Sequence, residues 1–124
     1  MITFALDQAH RIRMAQYTGI VDDAQLLTSY AALLSDPDYD ATLNDQVDLR
    51  GVARLEISAD AMRQLMSMYT PVDKLGVPTR LAVVAASDVT FGMSRMYELL
   101  RGDEVPEEIR VFRSYDDAVA WLGV

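Results

Sequence analysis

The chain has 124 residues, 51 % of them hydrophobic, no cysteine and a formal charge of −8. That length suits one domain, residues 1–124, able to bury about two-thirds of its unfolded surface without a metal, and the missing cysteine excludes disulfides and thiol chemistry. Ten of the eleven basic residues are arginine, but the acidic balance repels phosphate backbones and anionic headgroups, so nucleic acid and electrostatic membrane docking are not expected.

No apolar run approaches the roughly 20 residues of a membrane span. The N-terminus shows no basic segment followed by an apolar one, so no signal peptide and a cytoplasmic location are expected. Ile2, Phe4 and Leu6 alternate with Thr3 and Ala5, the period of a half-buried strand. Asp7 to His10 reads as a hairpin connection, and Arg11 to Thr18 as a second strand, antiparallel to the first. Ile12 and Met14 share one of its faces; Arg11, Arg13, Ala15 and Tyr17 share the other. Gly19 is expected to break this strand.

Asp22 with Gln25 three residues on resembles a capping box. Leu26, Leu27, Tyr30, Leu33 and Leu34 then recur at helical spacing until Asp36-Pro37 stops the helix. The central stretch from Val47 to Leu65 reads as a buried strand (Val47, Leu49), a tight exit at Arg50-Gly51, and a helix starting at Ser58. Met62, Leu65, Met66 and Tyr69 form its apolar stripe, and Pro71 is expected to end it. Leu81 to Ala86 is a continuous apolar run, as in a strand covered on both faces. Ser87 caps a third helix with Val89, Met93, Met96 and Leu100 toward the core; Ile109, Val111 and Phe112 make the last strand; Ser114 opens a final helix held by Ala118, Trp121 and Leu122. The expected order is β-β-α-β-α-β-α-β-α, an α/β fold with a mixed five-stranded sheet and about four helices.

Chemical motifs are mostly absent. No phosphate loop, dinucleotide fingerprint or GxSxG elbow occurs. The single histidine, His10, falls in the hairpin, away from any helix start. Asp36, Asp38 and Asp40 begin like a calcium loop, but Ala41 replaces the required glycine and Val47 the bidentate glutamate. No metal site, no cofactor and no enzymatic activity are expected, because activity needs a nucleophile–base or metal constellation. The amide-rich helix starts at Ser58 and Ser87 would share one sheet edge and favour anions, with Arg50 and Arg54 in support. Ser58 is thus a candidate regulatory site, where a phosphoryl group would be stabilised, although a serine there caps a helix in any case. Five of the seven methionines fall on the second and third helices; Met68, off its stripe, is the candidate contact for a partner or ligand.

Asp48–Val52 (DLRGV), Phe91–Leu100 (FGMSRMYELL) and Val111–Leu122 (VFRSYDDAVAWL) resemble the SpoIIAA-like (STAS/SEC14-type) bacterial proteins over essentially the whole chain. The resemblance implies the mixed sheet of anti-sigma-factor antagonists, shared in outline with SEC14 lipid-transfer domains. Antagonists carry Asp-Ser-Ser-Gly at this helix start, and a kinase phosphorylates the second serine. Here the sequence is Glu56-Ile57-Ser58-Ala59, so Ser58 keeps the position while its neighbours change. Two expectations follow: a regulatory interaction module with a kinase or regulator as partner, and a carrier or sensor of a small apolar ligand between the methionine-bearing helices. A homodimer through Met68, Tyr69 or an exposed arm of the sheet stays open.

Overall fold

In the computed structural model, which describes all residues from 1 to 124, five strands form one sheet in the order β1-β2-β3-β4-β5. The strands are β1 (Ile2–Asp7), β2 (Ile12–Asp22), β3 (Asn44–Glu56), β4 (Thr79–Val84) and β5 (Glu107–Phe112). β1 and β2 pair antiparallel, and every later pair is parallel. The helices are α1 (Asp23–Ser35), α2 (Ala59–Met68), α3 (Thr70–Asp73), α4 (Asp88–Arg101) and α5 (Tyr115–Trp121).

Sequential parallel strands lie side by side, so crossovers of one hand put their helices on one face. Leu26 and Tyr30 of α1, Leu65 of α2 and Phe91 and Tyr97 of α4 accordingly pack with Tyr17, Val47, Leu49 and Val83 in the larger core. The last helix has no following strand and crosses to the other face, where Ala118 and Leu122 meet Ile12, Ala82 and Val84. β4 is therefore covered on both sides, and residues 81–85 are all buried, as their unbroken apolar run required.

Four local expectations change. Gly19 does not end β2; it takes a positive φ of 68° beside a register shift, and the strand continues to Asp22. Arg50-Gly51 is likewise a bulge inside β3 rather than its exit. A side chain at Gly51 would meet Thr18 Cγ2 at 3.1 Å and the Tyr17 carbonyl at 3.2 Å, so any larger residue makes the two strands give way at the bulge. Pro71 starts the extra helix α3, where its missing N–H is harmless, instead of merely ending α2. The inner line of α4 is turned by one residue: Thr90, Ser94 and Arg101 are buried, while Val89 is 68 % exposed and Met96 38 %. The apolar spacing selected the wrong stripe because the inward side of α4 meets a cleft and a buried ion cluster, not only dry core.

Candidate functional site

The carboxyl end of the parallel strands holds the residues singled out from sequence except Met68, which closes the far end of α2. Ser58 caps α2, its Oγ accepting from the Ala61 amide at 3.1 Å. The same hydroxyl and the Ser58 amide both donate to the Asp23 carboxylate, each at 2.7 Å. Those bonds clamp the start of α2 to the start of α1 and hold Asp23 below the usual carboxylate range. Ser87 caps α4 through the Thr90 amide at 3.1 Å. Arg50 does not join Ser58: it forks onto Asp48 at 3.0 and 2.8 Å and stacks over Tyr115 of α5, on the opposite face of the sheet. Arg54 pairs with Glu56 in solvent. Met68 is half-buried and packs on the larger core, so its side chain is less free than its off-stripe position suggested. Each serine start is thus a satisfied cap, and each arginine already holds a carboxylate.

An apolar cleft runs between α2, α4 and the sheet. It has a volume of about 90 Å³, and twelve of its thirteen lining residues are hydrophobic. Met62 and Leu65 form the α2 wall, Met93 and Tyr97 the α4 wall, and Leu55 and Ile57 close it near the end of β3. The bulges let β3 run well past Val84, where its pairing with β4 ends, and so carry Leu55 to this wall. Leu49, Met62, Leu65 and Met93 were legible as apolar positions. Leu55 and Ile57 were missed because the strand was expected to stop at Arg50, and Tyr97 because the apolar spacing of α4 pointed to a neighbouring line of residues.

The amino end of the sheet carries a buried polar cluster that sequence reasoning also missed. Arg13 forks onto Asp45 (Nε at 2.8 Å, Nη2 at 3.3 Å), reaches the Asp40 carbonyl at 3.0 Å and stacks on Tyr39. Arg101 holds both Asp73 oxygens, at 2.7 and 3.0 Å, and Glu107 Oε1 at 3.3 Å. Its Nε is buried and faces no acceptor, an unmet donor that costs stability. Asp45 and Glu107 have 18 % and 11 % of their side chains exposed. Burial pushes Asp45 up, and burial together with the nearby Asp45 charge, against Arg101, pushes Glu107 up to about 7. Two arginines face three carboxylates here, so full ionisation leaves one uncompensated charge.

No family model matches this chain, and no curated protein matches it in sequence. Among solved structures it is similar to an uncharacterised DUF3478-family protein with a SpoIIAA-like fold from Shewanella loihica PV-4, with a TM-score of 0.56 and 17 % identity. The match covers 98 % of this chain and 92 % of that one. At that identity the likeness is one of fold: the chain has a SpoIIAA-like α/β fold along its length, as the sequence motifs implied. No helix is long and apolar enough to cross a membrane.

Proposed function

We propose that this protein is a non-catalytic STAS-like module that carries or senses a small apolar ligand between α2 and α4. The apolar cleft carries the reading: about 90 Å³ lined almost wholly by hydrophobic side chains, two of them adaptable methionines. A volume of that order takes a few non-hydrogen atoms, and a longer chain needs the two helices to part. The lone histidine supports the non-catalytic part, since His10 sits exposed on the β1–β2 turn with its ring nitrogen on Asp7 at 2.8 Å. Native mass spectrometry of protein purified without detergent tests the reading. A co-purifying apolar molecule, or saturable uptake of benzene, is the expected result; neither, at millimolar benzene, rejects it.

A second reading, regulation at Ser58 by a kinase partner, draws on the Asp23 clamp. Phosphorylation would replace the donated proton by a dianion against that carboxylate and release α2 from α1. It requires Ser58→Asp to change partner binding in the same direction as Ser58→Ala and further, since both lose the donor to Asp23 and Asp adds a like charge; equal binding by both variants and the wild type removes it.

A further inference from the structure

A second, more enclosed chamber of about 40 Å³ adjoins the cleft, with Val47, Leu65, Leu81 and Tyr97 lining both. The two charged side chains lining this chamber are Asp45 and Glu107. Arg101 and Arg13 stand behind them and line a separate void of about 10 Å³. Tyr69, 9 % exposed, also lines the chamber, and its hydroxyl makes no hydrogen bond within the protein. Glu107 holds Arg101 through Oε1 alone, which leaves Oε2 without a donor.

We propose that the ligand is an amphiphile with a hydrogen-bond-donating head, a protonated amine ahead of an alcohol, seated against Glu107 and Asp45 with its apolar tail in the cleft. This rests on the cleft being the ligand site and adds the chemistry of the head. A carboxylate head is disfavoured by the same two side chains, because like charges in a poorly solvated chamber repel strongly. An amine supplies the positive charge that three carboxylates and two arginines lack. Around Glu107 the charged groups are Arg101 from α4, Asp73 from α3, and Asp45 and Arg13 from β3 and β2, with the tyrosine hydroxyls of Tyr39, Tyr69 and Tyr97 completing the set.

Calorimetric titration with octylamine, 1-octanol and octanoate tests this, with benzene as the headless probe. At pH 8 octylamine is expected to bind at least about tenfold tighter than octanoate, with octanol between, a difference of about 1.4 kcal/mol. The overall negative charge also favours the cation, so the decisive readout is the variant. Glu107→Gln should shrink the octylamine-to-octanoate ratio at least about threefold, a ratio that cancels any general change in the cleft. Lowering the pH of the wild type from 8 to 6, across the Glu107 value of about 7, should shift the ratio in the same direction, which keeps the test independent of how well that variant folds. Benzene binding without any head-group preference, or a ratio that Glu107→Gln and pH 6 both leave intact, overturns the head-group inference alone. Failure of benzene and all three octyl probes overturns it together with the cleft reading.

Discussion

The two ends of the sheet solve opposite problems. At the carboxyl end, three helix starts are closed by Ser58, Ser87 and Ser114, and the arginines there lie in water, Arg54 69 % exposed and Arg50 48 %, although Asp48 beneath Arg50 is only 16 % exposed. At the amino end, Arg13 and Arg101 have 4 % and 3 % of their side chains exposed and hold three carboxylates between β2, β3, α3 and β5. Exposed pairs contribute little, whereas a buried charge stripped of its partner is costly. The end that the rule for open α/β sheets nominates is therefore electrostatically quiet, and the opposite end stores the electrostatic energy. Arg101 also ties α4 to α3, directly after α2, so the two helices flanking the cleft are joined at that end.

The contrast can be broken by substitution. Arg101→Met should be the most damaging change, lowering stability by about 3–5 kcal/mol in urea unfolding, because Asp73 and Glu107 stay buried without their cation. A loss below 1 kcal/mol would mean the amino end is as solvated as the other.

Titration of Glu107 comes next. Its folded-state value, about 7, lies above the ordinary 4.5, so the folded protein holds this proton more tightly than the unfolded chain. The resulting stability is complete below about pH 4.5 and is lost as pH rises toward 7, on the order of 3 kcal/mol at 1.36 kcal/mol per unit. Asp48, held low by its bonds from Arg50, acts in the opposite sense and at lower pH. Unfolding curves between pH 4.5 and 8 should therefore decline in the wild type and decline less in Glu107→Gln, where Asp45, also pushed up by burial, still acts in the same sense.

Smaller effects belong to the carboxyl end. Ser58→Ala removes a cap and should cost about 1 kcal/mol. Restoring an acceptor with Ser58→Asn should recover part of that, while Ser58→Asp should recover less because Asp23 faces it. Arg54→Ala should change stability by less than about 0.5 kcal/mol; a larger loss would show that the exposed pair with Glu56 does more than its solvation allows.

Much of the fold was legible because local signals agreed with the global arrangement. Alternation in Ile2–Leu6, the Asp22 and Ser58 caps and the apolar run from Leu81 to Ala86 each pointed to the element that forms, though β4 ends at Val84 and Ala86 is exposed. The bulged β3 was not legible: Arg50-Gly51 carries the signature of a turn, and only the pairing of Gly51 with Thr18 shows that the strand goes on. The candidate site was half legible. Methionine density on α2 and α4 pointed to the cleft, but the polar inner line of α4 hid Tyr97 and Arg101 from a search for apolar spacing. The spacing of Thr90, Ser94, Tyr97 and Arg101 is itself helical, and a buried polar line of that kind is the signal that could have exposed the cluster.

The account stands on the cleft being an accessible binding site, and the seven methionine methyl groups report on it directly. Methyl-labelled protein titrated with benzene should show saturable shifts at Met62 and Met93, which line the cleft, with Met14 on the other face and exposed Met1 unmoved. Shifts spread evenly over all seven methyls, or confined to exposed Met96, would contradict it.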